Sequence, residues 1–176
     1  MDWVSLKKAL WTWASTTDST ATVIWAQQNA PFPKMPALTM RLYSVSSVSP
    51  DYVSMADNGG RTLITGNREF FCELQAFGGD ALGRMEDLRM SLNLDTVKTA
   101  LVKAGIVVVD TEPILNTSAL NAPQIEDRAS MDVRLRIAHE LVDVPGIIDT
   151  VVLTGTYKDV DDRIISVDTS TITVNP

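Results

Sequence analysis

The residue types that could perform catalysis are few in this chain, and their spacing argues against an enzyme. His139 is the only histidine, and no G-x-S-x-G motif provides a serine for it to activate. It follows the alternating run at residues 131–137, so we expect a half-buried structural histidine. Cys72 lies beside Phe71 in an apolar stretch, whereas a reactive thiolate needs an open, electropositive site. The sequence therefore predicts no catalytic residue.

Metal and phosphate sites are also poorly supported. Asp159, Asp161 and Asp162 suggest a calcium loop, but an EF-hand needs glycine at its sixth position and glutamate at its twelfth. Those two positions are Ile164 and Ser170. One cysteine and one histidine cannot complete a zinc site within one chain. Neither Gly-Gly pair is followed by the G-K-S/T of a phosphate loop, so both are interpreted as turns and no cofactor is predicted.

Paired carboxylates are the remaining route to an enzyme. Residues 86–87 and 126–127 are adjacent acidic pairs, and adjacent residues of a helix do not face each other. Both pairs are interpreted as surface charge, although the sequence leaves open a dyad formed by the fold. A deep pocket with two facing carboxylates of perturbed pKa would favour a small hydrolase.

Composition indicates an acidic globular protein. The 176 residues carry a formal net charge of −7, and 45% of them are hydrophobic. This length predicts a single domain over residues 1–176, and an acidic surface disfavours a protein that grips nucleic acid. No apolar run reaches the ~20 residues needed to cross a bilayer. We expect a protein that is made and used in the cytoplasm and does not associate with membranes.

Hydrophobic periodicity predicts the elements that must position any functional surface. Apolar residues recur at helical spacing over residues 3–14, 80–91 and 94–104, and Gly105 is expected to end the last of these helices. Alternating or β-branched runs predict strands at residues 23–25, 38–45, 68–77, 106–109, 131–137 and 147–157, with weaker signals at 164–167 and 171–174. The Asn-Gly at residues 58–59 predicts a protruding hairpin, and turn-forming residues predict an irregular segment at 113–123. Because helices and strands are segregated, we predict an α+β fold, with a mainly antiparallel sheet packed against an N-terminal helix and a central helix pair.

Several residues are candidates for contact with another subunit or partner. Trp11 points off the apolar stripe of the first helix, and tryptophan is enriched at interface hot spots. Asp132, Arg134 and Arg136 share one strand face, which is either a plain polar face or an interface of alternating charge. The candidates are Trp11, Trp25, Gln27, Pro31, Pro33, Asn58, Arg68, Asp132, Arg134 and Arg136.

A series of short motifs gives a more specific indication. They are VIWAQQNAP at residues 23–31, GNREF at 66–70, QAFG at 75–78, EDRA at 126–129 and GTY at 155–157. Their order along residues 3–157 resembles that in the neck terminator proteins of tailed phages, which are also grouped with tail terminators or tail-completion proteins. Residues 158–176 lie outside this pattern and are expected to form a C-terminal strand or arm that joins a neighbour's sheet.

The resemblance implies a structural function in virion assembly, without catalytic residues. Such proteins form a six-fold ring at the head-proximal end of the tail, end growth of the tail tube and dock to the neck connector. The implied partners are further copies of the chain, the tail tube protein, the connector or adaptor protein and, as a further candidate, the sheath protein. DNA is implied to pass through the lumen of the ring without recognition of its sequence. The implied location is the tail or neck of the virion, after assembly in the host cytoplasm.

Two alternatives to a terminator ring remain open. Another phage connector subunit, such as a tail tube or head-completion protein, would also use sheets in a ring, and electron microscopy distinguishes one capped ring from a long tube. A small hydrolase with a carboxylate dyad is the other alternative. The acidic composition favours a ring, because carboxylates lining its lumen would let DNA slide without sticking.

Overall fold

The backbone forms helices and a mixed sheet, as seen in a computed structural model that describes residues 2–29, 31, 33–57, 59–121, 124–146 and 150–173. The helices are α1 (Trp3–Thr17), α2 (Ala81–Ser91) and α3 (Asp95–Lys103). The strands are β1 (Thr22–Trp25), β2 (Ala37–Ser47), β3 (Tyr52–Val53), β4 (Thr62–Phe77), β5 (Ile106–Thr111), β6 (Leu115–Asn116), β7 (Ala119–Asn121), β8 (Gln124–Glu126), β9 (Arg128–Asp143), β10 (Thr150–Lys158) and β11 (Ile164–Thr173).

The chain divides into two units. The first comprises Met1–Asp51 and Thr65–Glu140, and the second comprises Tyr52–Ile64 and Leu141–Pro176. The first unit contains the three helices and most of the main sheet, and the second contains β3, β10 and β11. The single domain over residues 1–176, with an arm beyond about residue 158, stays a prediction.

The main sheet has the strand order β1-β2-β4-β9-β5, with β3 paired to β4 and β6 paired to β9. β1 and β2 are parallel, whereas β2 pairs antiparallel with β4 and β5 pairs antiparallel with β9. The strand pairs β7–β8 and β10–β11 form two separate antiparallel sheets. The predicted fold class is therefore confirmed as α+β with a mainly antiparallel sheet.

The first helix follows from a cap and an apolar stripe. Asp2 accepts a hydrogen bond from the Val4 amide at 2.9 Å, which satisfies one of the free N–H groups of the first turn. The buried residues of α1 recur at helical spacing and are Leu6, Leu10, Trp13 and Ala14. Trp3, expected on this stripe, is 39% exposed, because it is the first residue of the helix and touches Phe70 only edge-on.

Glycine and aspartate set the ends of the helix pair. Asp80 caps α2 from a left-handed conformation and accepts from the Gly83 amide at 3.2 Å. Asp127 accepts from the Ala81 amide at 2.8 Å, which ties the start of α2 to the chain before β9. Gly105 has a φ of +76° immediately after α3, a conformation that favours glycine at a helix end, as its sequence position predicted.

One face of the sheet forms the core with all three helices. β4 contributes Phe70, Cys72, Leu74 and Ala76, and β9 contributes Met131, Val133, Leu135 and Ile137. They pack against Leu6 and Leu10 of α1, Met85 and Leu88 of α2, and Leu101 of α3. Burying each large side chain of this kind contributes roughly 1.5–3 kcal/mol. This packing fixes which face of each strand is turned away from the helices.

Three parts of the fold differ from the sequence-based expectation. β4 and β9 each extend to 16 residues, beyond the expected 68–77 and 131–137, because strand pairing continues past their apolar stretches. Residues 113–123, expected to be irregular, include β6 and β7.

No helix in the described part of the chain is both long enough and apolar enough to span a membrane.

Candidate subunit interface

The sheet face opposite the helices is polar and half-buried. Strand alternation places on it Arg41 and Tyr43 of β2, Glu69, Phe71 and Glu73 of β4, and Asp132, Arg134 and Arg136 of β9. We call these eight residues the polar face. They project away from the helices because their neighbours along each strand belong to the core. The polar face lies entirely within the first unit.

Opposite charges pair across the strands of this face. Arg41 and Glu73 are directly opposite in the β2–β4 register, and Arg41 Nε lies 2.7 Å from Glu73 Oε2. Arg136 Nε donates to Glu69 Oε1 at 2.9 Å, which joins β9 to β4. Each pair remains in contact with solvent, so each contributes at most about 1 kcal/mol to folding. The pairs therefore set a pattern of charge more than they stabilise the sheet.

An aromatic and carboxylate cluster lies at the middle of the polar face. The rings of Tyr43 and Phe71 stack with centroids 5.5 Å apart, and the Tyr43 hydroxyl donates to Asp132 Oδ2 at 2.9 Å. Burial, followed by this hydrogen bond and the charge of Asp132, raises the pKa of Tyr43 to about 12. The tyrosine is therefore a neutral hydrogen-bond donor at any physiological pH.

Two polar atoms of this face lack a hydrogen-bond partner among the described residues. They are Asp132 Oδ1 and Arg134 Nε, and both are buried. Arg134 reaches Asp110 of β5 only at 3.5 Å. A buried polar atom without a partner costs about 1–3 kcal/mol.

The structure brings four of the predicted contact residues to this region. Asp132, Arg134 and Arg136 share one face of β9, as their alternation predicted. Gln27, which has a φ of +65°, borders the same face in a shallow depression shared with Arg41. That these residues contact another subunit stays a prediction.

The two tryptophans lie away from the polar face. Trp11 of α1 is 42% exposed, and its indole N–H donates to the Val23 carbonyl of β1 at 2.9 Å. Trp25, at the end of β1, is half-buried against the core, with Lys7 Nζ 5.5 Å from its ring centroid. Both side chains have an internal structural role, and their contact with a neighbouring subunit stays a prediction.

Arg68 is separated from the arginines of β9. It lies on the opposite side of β4 from Glu69, and its guanidinium forms two bonds of 2.7 Å with the two carboxylate oxygens of Asp51. This pairing holds the pKa of Asp51 below its ordinary value. A Cβ at Gly66 would lie 2.0 Å from Asp51 Oδ1, so a side chain at residue 66 would displace this carboxylate from its present position.

The remaining predicted contact residues lie in irregular segments. Pro31 is exposed and Pro33 is half-buried, both between β1 and β2. Asn58 lies outside the described residues. Their contribution to an interface stays a prediction.

Sequence reasoning missed most of the polar face outside β9. Arg41, Tyr43, Glu69 and Glu73 were not among the predicted contacts. The alternation of Glu69 and Glu73 with apolar neighbours was a usable signal. The register between β2 and β4 places Arg41 and Tyr43 beside these glutamates. It could not be predicted from the sequence, because a long connection separates the two strands.

The potentially reactive side chains Cys72 and His139 are buried or half-buried. Cys72 is fully buried, and burial raises the pKa of its thiol well above the ordinary range. His139 is half-buried on β9. Among the described residues, no group of three His, Cys, Asp or Glu side chains could hold a metal ion.

Comparison with known proteins identifies the family. Residues 4–161 match the family model described as phage neck terminator protein. The chain belongs to the phage neck terminator family. The resemblance carried by the short motifs is thereby confirmed, and the protein is a structural component of the phage neck, found in the tail and neck region of the virion. No curated protein matches the chain.

Proposed function

We propose that the protein closes into a ring of six copies at the head-proximal end of the tail, where it ends growth of the tail tube and receives the neck connector. Membership of the neck terminator family supports this placement. The ring is proposed to leave a lumen through which DNA passes without sequence recognition. The acidic net charge of −7 supports such a lumen, because carboxylates repel phosphates.

The polar face is the proposed contact surface between copies. The observation that carries this assignment is the alternation of partly exposed charge across the strands, with Arg41 paired to Glu73 and Arg136 paired to Glu69. Alternating charge favours one docking register and opposes others. Contact between this face and a different surface of the next copy is head-to-tail, and such contacts close into a ring when the rotation permits.

The same geometry gives no support for a hydrolase. A depression on the polar face is lined by the carboxylates Glu73, Glu112 and Asp132. Glu73 is engaged by Arg41 and Asp132 by Tyr43. Two facing carboxylates free to exchange a proton are not assembled there.

Assembly of the purified protein, alone and with isolated tails, tests the proposal. Native mass spectrometry should give a six-copy species, and electron microscopy should show one ring at the head-proximal end of each tail. The double variant Arg134→Ala/Arg136→Ala should lose the ring, while the helix-side control Lys8→Ala/Lys103→Ala should keep it. A chain that stays monomeric with tails would overturn the proposal. Long stacked tubes would favour a tail tube protein instead.

A further inference from the structure

The hairpin formed by β10 and β11 exposes both of its faces. The strands pair antiparallel from Thr150 opposite Thr173 to Lys158 opposite Ile164, and every residue of both strands is exposed. Among the described residues, these strands pair only with each other. An isolated two-stranded hairpin is marginally stable in water. A hairpin of this length therefore needs another surface to cover it.

One face of the hairpin has the composition of a contact surface. The register places Val151, Leu153 and Tyr157 on the same side as Ile172, and each is between 39% and 59% exposed. Asp168 lies at the centre of that side, opposite Gly155, which has no side chain to cover it. No ion pair or hydrogen bond engages the Asp168 carboxylate within the described part of the chain. We call this side the hairpin face.

A matching groove runs along β5, an outer strand of the main sheet. Its lining includes Met90, Lys98, Val102, Val108 and Val109, and we call it the β5 groove. Met90, Val102 and Val109 are each between 36% and 60% exposed, and Val108 is half-buried. Lys98 is exposed and forms no ion pair among the described residues. The groove thus combines an apolar floor with one unpaired cation.

The two outer strands of the sheet are protected differently. In β1, the amides of Thr22 and Ala26 donate hydrogen bonds toward β2. Backbone groups alternate in direction along a strand, so the carbonyl of Val23 points away from β2, toward the open edge of the sheet. Trp11 caps that carbonyl. β5 pairs only with β9 in the described part of the sheet, and its other edge borders the β5 groove. An uncovered strand edge is a site at which another chain can associate.

We propose that the hairpin face of one copy packs into the β5 groove of the next copy, with Asp168 opposite Lys98. The inference rests on the proposed ring and names a contact that holds it together. Opposite charge and shared apolar character make a second copy the occupant. The groove also adjoins the polar face, because Asp110 of β5 contacts Arg134. Hairpin and groove are different surfaces, so the contact is head-to-tail, as a ring requires.

A charge exchange in the full chain tests the contact. Asp168→Lys alone and Lys98→Asp alone should each raise the protein concentration needed for half-assembly by at least about tenfold, because each sets like charges opposite one another. The double variant should restore assembly to within about threefold of the unmodified protein. Asp161→Lys is the matched control, since it makes the same charge change in the exposed turn of the same hairpin. That control should assemble normally.

A crosslinking measurement keeps the test decisive if a variant misfolds. Val102→Cys copies mixed with Leu153→Cys copies should give a covalent dimer with a short bis-maleimide, whereas Val4→Cys mixed with Leu153→Cys should not. Rings that form without this crosslink, and that tolerate both single reversals, would overturn the hairpin contact alone. Absence of any ring on tails would overturn the proposed function, and the hairpin contact with it.

Discussion

Trp11 and Val23 are joined by a hydrogen bond that closes one edge of the main sheet. The indole N–H of Trp11 donates to the outward-facing carbonyl of Val23 at 2.9 Å, so a helix side chain occupies the place of a further strand. Trp11→Phe keeps an aromatic ring, although a smaller one, and removes the N–H donor. We expect it to lower the free energy of unfolding by about 1 kcal/mol and to increase self-association through the edge of β1.

Denaturant unfolding and light scattering measure these two effects. Trp3→Phe is the matched control, because Trp3 has a ring contact with Phe70 but no hydrogen bond among the described residues. Equal stability and equal scattering for Trp11→Phe and the unmodified protein would show that the hydrogen bond does not protect the edge.

The Asp51–Arg68 ion pair should be sensitive to its neighbouring glycine. A methyl group at Gly66 would lie 2.0 Å from Asp51 Oδ1 and 2.3 Å from Arg68 Nη1, so Gly66→Ala must separate the two side chains. Because the atoms in the way are the ends of flexible side chains, we expect a small loss in the free energy of unfolding. Gly155→Ala is the control, since the nearest atoms to its added carbon lie 3.9 Å away. Thermal unfolding of both variants measures the difference.

Tyr43 should make folding sensitive to alkaline pH. Its folded pKa of about 12 lies above the ordinary tyrosine pKa of 10.0, so the unfolded chain releases this proton first. The stabilising contribution is complete below pH 10 and is lost as the pH rises toward 12. Tyr43→Phe should remove the part of the fall in unfolding free energy between pH 10 and pH 12 that is due to ionisation of this tyrosine. Urea unfolding of both proteins across this pH range measures it, and parallel curves would contradict the assignment.

Cys72 should be unreactive in the folded protein. It is fully buried, and burial raises the pKa of its thiol, so both access and thiolate formation are suppressed. A chromogenic disulfide reagent should modify it only on unfolding. Val160→Cys provides an exposed thiol in the same chain and should react at once. Rapid modification of Cys72 under native conditions would show that the core opens around β4.

The polar face should matter more for assembly than for stability. Arg136→Ala removes an ion pair with Glu69 that is open to solvent on the arginine side, so we expect a change of less than about 1 kcal/mol in unfolding free energy. Ring formation should nevertheless decline, because the face loses part of its charge pattern. Denaturant unfolding and native mass spectrometry of the same sample separate these two effects. A large stability loss with normal ring formation would reverse the assignment.

Local patterns were sufficient for elements whose own residues carry the signal. The helical spacing of Leu6 and Leu10 predicted α1, the alternation from Met131 to Ile137 predicted the core face of β9, and Gly105 predicted the end of α3. In each case, burial depends on which side of one element a residue occupies. That information is present in the spacing of neighbouring residues.

Contacts between distant segments were not predictable in this way. Arg68 and Arg136 both appeared as charged strand residues, yet strand alternation and the Asp51 pairing place Arg68 on the other side of the sheet from the polar face. The short strands β6 and β7 lie in a segment with turn chemistry and no clear alternation. They form because β9 offers a pairing partner to β6, and β8 offers one to β7.

By itself, the sequence determined the fold class, the core faces and, through its ordered motifs, the neck terminator family. The fold class, the core faces and the family depend on periodicity and residue order, which are properties of the sequence itself. Only the tertiary structure decided that Tyr43 meets Asp132, that Trp11 covers Val23 and that the hairpin of β10 and β11 is exposed on both faces. Each of these requires strand register and the approach of segments far apart in the chain, and local residue spacing encodes neither.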